Sequence, residues 1–166
     1  MTRRMVLVVA ISLAAIAAVA GVAVSRAGRR AHTYRLLDSL AALPLGLPLE
    51  SLRRVMPWLY CPEMTHHVEH EPVCAAEADG RDVRVELPGS RIGVIEMMVF
   101  GRDMPDLVSW TSARFGTARG RCTLDDIRLA WWIAGGRVVT LTEPPPGGRA
   151  RKVSIQAGDG APLGCA

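Results

Sequence analysis

The sequence IRLAWWIAGGRVVTLT at residues 127–142 carries the clearest strand pattern of this 166-residue chain. From Ile127 onward, large apolar side chains recur at every second position, a period that is typical of a half-buried β-strand. Gly135 and Gly136 then predict a tight turn, and residues 138–142 predict the returning strand. We therefore expect an antiparallel sheet that contains this hairpin.

Three more strands are predicted on either side of the hairpin. Residues 83–87 alternate apolar and charged side chains, and residues 92–100 form an apolar run that suits a central strand. Residues 152–156 place Val153 and Ile155 on one face, which predicts the last strand.

Two main helices are predicted between these strands. Pro48 suits the first turn of a helix that runs to about Met56. Asp103 suits the N-cap of the second helix, with Asp106 at the capping-box position and Gly116 as a left-handed stop. The element order predicts an α+β fold in which both helices pack on one face of an antiparallel sheet of about five strands.

The N-terminal segment, residues 1–27, is predicted to be a transmembrane anchor or an uncleaved signal. Residues 5–24 carry no charge, and a helix of that length spans roughly 30 Å, the hydrocarbon thickness of a bilayer. A signal peptide has a shorter apolar region, about 7–15 residues, which favours a transmembrane helix. Small-x-small triplets at 18–20 and 25–27, together with a twin-arginine-like phrase at residues 2–7, keep a cleaved export signal as the alternative.

The rest of the chain divides into three predicted parts. Residues 28–43 are a juxtamembrane linker with a short helix, residues 44–156 are the α+β domain, and residues 157–166 are a C-terminal tail. Residues 1–30 hold five arginines and no acid, whereas the remaining 136 residues hold 15 basic and 16 acidic groups. A near-neutral domain behind a basic leader argues against nucleic-acid binding.

All four cysteines follow the apolar segment, which is the arrangement of an exported, disulfide-bonded domain. We therefore expect the N-terminus inside and the domain on the periplasmic side of the inner membrane, with secretion after signal cleavage as the alternative. A disulfide between Cys61 and Cys74 is favoured, and it would leave Cys122 and Cys165 to each other. Four cysteines allow three pairings, however, and the spacing does not choose among them.

The segment between Cys61 and Cys74 also contains His66, His67 and His70. Imidazole is a good ligand for zinc and copper, and the i, i+4 and i, i+3 spacings could place two rings on one side of a helical turn. The spacing matches neither a zinc-finger pattern nor HExxH. A metal site at His66, His67 and His70 is therefore an alternative to a solvated loop closed by a disulfide.

Three aromatic residues are candidates for a partner surface. Adjacent residues of a strand point to opposite faces, so Trp131 and Trp132 place one indole on each side of the sheet. If one lies in the core, Trp132 could lie on an exposed face and mark a partner surface, while the favoured alternative is a sheet covered on both sides or indoles close to lipid. Trp58 and Tyr60 form a similar apolar patch directly after Pro57.

Three phrases in the chain resemble small bacterial envelope domains. They are the helix opening GLPLESLR at residues 46–53, the RFG at residues 114–116 and the hairpin from Trp131 to Leu141. They are similar to the outer-membrane assembly lipoproteins of the SmpA/OmlA type over roughly residues 44–156. The resemblance implies an α+β assembly domain, although the lipid-bearing cysteine of that group is missing here, and it assigns no functional residue.

No catalytic motif is present: the serines lack a GxSxG context and the adjacent Asp125 and Asp126 are poorly placed for paired acid–base chemistry. We therefore expect no enzyme activity, although catalytic groups can be far apart in sequence. The predicted function is a membrane-anchored bacterial envelope protein whose non-catalytic domain binds a protein partner. The alternative is an envelope metal-binding protein that uses the three histidines with zinc or copper.

Overall fold

The hairpin predicted at residues 127–142 is present as two neighbouring antiparallel strands of the sheet. The computed structural model describes residues 3–62, 73–78, 81–100, 106–143, 148 and 150–165, with side chains of the first helix from residue 21 onward. In chain order the elements are α1 (Arg3–Ala42), α2 (Leu49–Val55), β1 (Val73–Ala78), β2 (Arg81–Glu86), a 3₁₀ turn (Pro88–Ser90), β3 (Val94–Phe100), α3 (Leu107–Phe115), β4 (Gly120–Leu124), β5 (Ile127–Ala134), β6 (Arg137–Glu143) and β7 (Ala150–Ala157).

The prediction of about five strands was wrong, because the described residues form one seven-stranded sheet in the order β1-β2-β3-β7-β6-β5-β4. Every neighbouring pair is antiparallel. The two unpredicted strands, β1 and β4, lie at the edges of the sheet. β1 reads VCAAEA and β4 reads GRCTL, so neither has the alternation of large apolar side chains that marks a half-buried strand.

The prediction of a transmembrane helix was also wrong for the part of the chain that can be tested. Among the described residues, no helix is both long and apolar enough to span a membrane. Residues 21–42 of α1 carry charged side chains such as Arg26, Arg30 and Arg35, and their last turns pack on the sheet. For most of the predicted span, residues 5–24, the structure describes the helical backbone but not the side chains.

The predicted linker at residues 28–43 belongs to α1, which continues without a break to Ala42. The side chains of residues 21–32 are exposed, and the Arg29 carbonyl accepts a hydrogen bond from Arg81 of β2. From Thr33 onward, α1 is docked on the domain and buries Leu37, Leu40 and Ala41. The helix is therefore one continuous 40-residue element, about 60 Å long.

A buried arginine holds α1 on the sheet. Arg81 of β2 is almost fully buried, and its Nε donates to the hydroxyl of Thr33 at 2.6 Å. Its guanidinium also donates to the carbonyl of Arg29 at 2.8 Å. At the other end of the contact, Arg137 of β6 donates to the carbonyl of Ala41 at 2.8 Å, where the last helical carbonyls lack partners within the helix.

The N-cap of α3 is Asp106 rather than the predicted Asp103, which lies outside the described residues. The Asp106 carboxylate accepts from the Ser109 hydroxyl at 2.6 Å and from its backbone N–H at 3.0 Å. These two hydrogen bonds lower the pKa of Asp106 below its ordinary value. Gly116 ends the helix with a positive φ of 84°, as the sequence predicts.

The core lies between the helices and one face of the sheet. Asp38 of α1 ties α1 to α3, because its carboxylate accepts from Trp110 Nε1 at 3.1 Å and from Arg114 at 3.0 Å. On the sheet, the side chains that join the helices in this core are Val83, Val85, Ile95, Met97, Val99, Trp132, Val139, Leu141, Val153 and Ile155. The opposite face of the sheet, which we call the open face, carries no helix among the described residues.

Candidate functional site

Large apolar side chains become exposed where α2 ends. Met56 and Leu59 are buried in the core, but Val55, Trp58 and Tyr60 are 61%, 44% and 74% exposed. We call Val55, Trp58 and Tyr60 the aromatic corner. The sequence singled out Trp58 and Tyr60 as partner-surface candidates, and both side chains reach solvent.

The backbone of the aromatic corner is held by bonds on both sides. The N–H of Tyr60 donates to the carbonyl of Ala75 at 3.0 Å, and the N–H of Ala75 donates to the carbonyl of Tyr60 at 2.9 Å. The next residue, Cys61, forms a disulfide with Cys74, and their Cα atoms are 4.1 Å apart. The exposed aromatic residues therefore rest on a fixed edge of the sheet rather than on an unsupported loop.

A shallow cavity of about 480 Å³ opens at the aromatic corner. It is lined by Arg53, Pro57, Trp58, Leu59, Tyr60 and Cys61. Arg53 pairs with Glu50 at 3.2 Å. The neighbouring Arg54 is exposed and pairs with no described residue.

Both favoured disulfides are present. Cys61 pairs with Cys74 and Cys122 pairs with Cys165, and the described residues include no free cysteine. No thiolate is therefore available to bind a metal while these bonds are intact. His66, His67 and His70 lie outside the described residues. A zinc or copper site at these histidines stays a prediction, and the described residues contain no other group of three candidate ligands.

The prediction that Trp132 lies on an exposed face was wrong. Trp132 is fully buried on the helix face of the sheet, and its Nε1 has no hydrogen-bond partner among the described residues. Trp131, on the open face, is also nearly buried. The reason is that Trp132 packs into the core beneath the helices, while the Trp131 indole lies against Gly120 of β4.

The C-terminal segment, predicted as a tail, lies across the open face from β7 to β4. We call residues 158–165 the strap. At its start, the N–H of Gly158 donates to the carbonyl of Gly136 at 3.0 Å. At its end, Cys165 is bonded to Cys122 of β4, with the Cα atoms 5.7 Å apart. The strap is therefore fastened to the sheet at both ends.

Between the strap and the sheet lies a cleft of about 440 Å³, which we call the strap cleft. From β3, β5, β6 and β7 it is lined by Glu96, Leu129, Val138, Thr140, Thr142, Lys152, Ser154 and Gln156, and from β7 and the strap by residues 157–163. Thr140 pairs with Ser154 in the register of β6 and β7, so the two hydroxyl side chains are neighbours on this face.

A smaller cavity of about 270 Å³ lies beside α3 and the strands β4, β5 and β6. The one carboxylate in its lining, Glu143, pairs with Arg128 at 3.1 Å and with Arg151 at 3.5 Å. A carboxylate shared by two arginines is a structural ion pair rather than a base with a free lone pair.

Sequence reasoning missed the strap cleft and Val55. The cleft is formed by side chains from four strands and by a segment brought back by a disulfide, so no local spacing marks it. One signal could have drawn attention to it: Thr140 and Thr142 alternate with apolar residues in β6, which places two hydroxyls on one face. Comparison with protein-family models, with curated proteins and with solved structures finds no match for this chain.

Proposed function

We propose that this protein is an exported, non-catalytic interaction domain of the bacterial envelope, and that its partner docks on the aromatic corner. The observation that carries the proposal is the exposure of Val55, Trp58 and Tyr60 on a backbone fixed by the Cys61–Cys74 disulfide. Contiguous exposed apolar side chains next to polar groups are typical of a protein interface. Tryptophan, tyrosine and arginine are also the residues that contribute most to binding energy.

The two disulfides support export, because such bonds form and persist in oxidising compartments. The exposed Arg54, next in sequence to Arg53 of the cavity lining, supports a partner whose apolar contact surface is flanked by carboxylates. An assembly role, as in the domains that the sequence resembles, fits a module that binds a partner through a surface of this kind.

Photocrosslinking in the native cells tests the docking surface. A photoreactive phenylalanine at position 60 should give one discrete adduct, whereas the same group at position 100 should not. Phe100 is a suitable control because it is similarly exposed but belongs to β3, away from the corner. Equal adducts from positions 60 and 100 would contradict the proposal.

The partner identified by that adduct allows a quantitative test. Trp58→Ala should weaken binding at least tenfold, because truncation of a central aromatic anchor costs about 2 kcal/mol or more. The fold should persist, since the side chain is partly exposed. Leu163→Ala, at a fully exposed apolar residue of the strap, is the matched control and should bind normally. Unchanged affinity of the Trp58→Ala variant would exclude this surface.

A further inference from the structure

The two edges of the sheet differ in how the chain covers them. Beside β1, Tyr60 pairs with Ala75 through two backbone hydrogen bonds, so the chain itself covers part of that edge. Beside β4, no second strand or bridge among the described residues pairs with the backbone, which bonds to β5 on its other side. An edge strand of this kind presents a row of unpaired N–H and C=O groups.

A groove lies along β4 on the helix face of the sheet. The cavity of about 270 Å³ is lined by Arg121 and Thr123 of β4 and by Val108 of α3. Arg121 is the register partner of Ala130, which shares a face of β5 with the buried Trp132. The edge strand and the start of α3 are therefore two walls of one space, which we call the β4 groove.

The strap leaves the β4 groove uncovered. Its disulfide is made by Cys122, and the neighbours of Cys122 in β4 point to the opposite face of the strand. Near its end, Gly164 of the strap lies beside Leu124, which shares the face of Cys122. No described residue of the strap contributes to the lining of the cavity. The free edge of β4 is therefore accessible from the helix face.

The charge of the β4 groove favours an acidic occupant. The one carboxylate of the lining, Glu143, is already shared by Arg128 and Arg151. Arg121 is exposed and pairs with no described residue. A carboxylate that enters the groove from outside therefore meets an arginine that is available to pair with it.

The charges at the two ends of β4 point the same way. Arg119, directly before the strand, is exposed and adds a second positive charge. Asp125 and Asp126 lie in the turn after the strand and outside the lining of the cavity. Two copies of this chain that paired antiparallel through β4 would place both Arg121 side chains on one face of the joined sheet, where like charges repel. A second copy is therefore a poorer occupant than an acidic strand.

We propose that β4 is a docking edge for an extended acidic segment of a partner protein, which adds to the sheet as a further strand. The outward N–H and C=O groups of β4 bond to the backbone of this segment. Because side chains alternate along a strand, every second residue of the segment faces the β4 groove, where its carboxylates meet Arg121. The aromatic corner lies at the other edge of the sheet, so this site does not depend on the function proposed for the corner.

Titration of the full, oxidised chain with short peptides, followed by backbone NMR, tests the proposal. The probes are acetyl-VEVEVE-amide and acetyl-VKVKVK-amide. The glutamate peptide should shift the amide signals of residues 120–124 saturably and slow the exchange of these amides with solvent, whereas the lysine peptide should do neither. The glutamate peptide with every backbone nitrogen methylated should not bind, because it keeps the charges but cannot pair as a strand.

A pair of arginine variants tests the role of the charge. Arg121→Gln should weaken binding of the glutamate peptide about two- to fivefold, the usual effect of one exposed ion pair, and Arg121→Glu should weaken it further. Arg84→Gln is the matched control, because it removes an exposed arginine from β2, near the opposite edge of the sheet. This variant should bind the peptide normally.

Four results would each overturn the proposal. The first is that neither peptide, or both peptides equally, shift the signals of residues 120–124. The second is that the methylated peptide binds as well as the parent, which would mean attraction between charges without strand addition. The third is equal binding by the Arg121→Gln and Arg84→Gln variants. The fourth is a concentration-dependent dimer that protects residues 120–124 without peptide, which would assign the edge to a second copy.

Discussion

At the scale of single residues, the tightest constraint on the open face is the contact between Gly120 and Trp131. A Cβ atom at position 120 would lie 2.3 Å from the indole of Trp131. The two residues are direct partners in the register of β4 and β5, so neither can move without the strand. Gly120 is therefore glycine because its neighbour occupies the space of a side chain, and the close approach lets the ring lie flat against β4.

We expect Gly120→Ala to lower the free energy of unfolding by about 1–3 kcal/mol, the usual cost of overpacking. Urea denaturation followed by circular dichroism measures this free energy of unfolding. Gly160→Ala is the control, because a Cβ at that position meets nothing within 4 Å, and it should change stability by less than about 0.5 kcal/mol. Trp131→Phe should relieve part of the Gly120→Ala defect when the two are combined. Equal stabilities of the two alanine variants would refute this account of Gly120.

At the scale of elements, one buried guanidinium joins the middle of α1 to β2. The Arg81 guanidinium donates hydrogen bonds from two of its nitrogens, Nε to the Thr33 hydroxyl and Nη2 to the Arg29 carbonyl. Lysine carries the same charge but cannot present donors in the planar, forked geometry of arginine. The contact between α1 and β2 therefore requires arginine itself and not simply a positive charge.

Arg81→Lys should lower the free energy of unfolding by about 1.5–3 kcal/mol, the range for a hydrogen bond to a charged group. Backbone amides of residues 29–42 should also exchange faster with solvent. Arg84→Lys is the matched control on the same strand, since its side chain is exposed and pairs only with Asp82 at 3.3 Å; it should have almost no effect. Similar losses in both variants would mean that Arg81 does not hold α1.

Elements with a strong local pattern could be predicted from the sequence, and elements defined by distant partners could not. The β5–β6 hairpin and the Gly116 stop follow from alternation and turn chemistry. β1 and β4 are edge strands of small or mixed residues, which become strands because β2 and β5 offer free backbone groups. Trp132 was misplaced for a similar reason: its burial depends on α1 and α3, which no local pattern around residue 132 reveals.

At the scale of the whole molecule, the two disulfides join parts of the chain that the sheet alone leaves loosely attached. Cys61–Cys74 links the aromatic corner to β1 over a separation of 13 residues. Cys122–Cys165 fastens the strap to β4 over a separation of 43 residues. On the chain-entropy account, bridges closing loops of these lengths stabilise by about 3 and about 4 kcal/mol respectively. The aromatic corner and the strap cleft therefore depend on oxidation of the cysteines.

The final prediction concerns the state of the cysteines in the native cell. If the protein is exported, alkylation of intact cells and lysate without reductant should leave all four cysteines unmodified, and intact-mass measurement shows this directly. After reduction under denaturing conditions, the same measurement should show four added groups, which controls for access of the reagent. Peptide mapping should find Cys61 joined to Cys74 and Cys122 joined to Cys165. Four alkylated cysteines without reductant would place the domain in a reducing compartment and overturn export, and with it the fastening of the strap to β4.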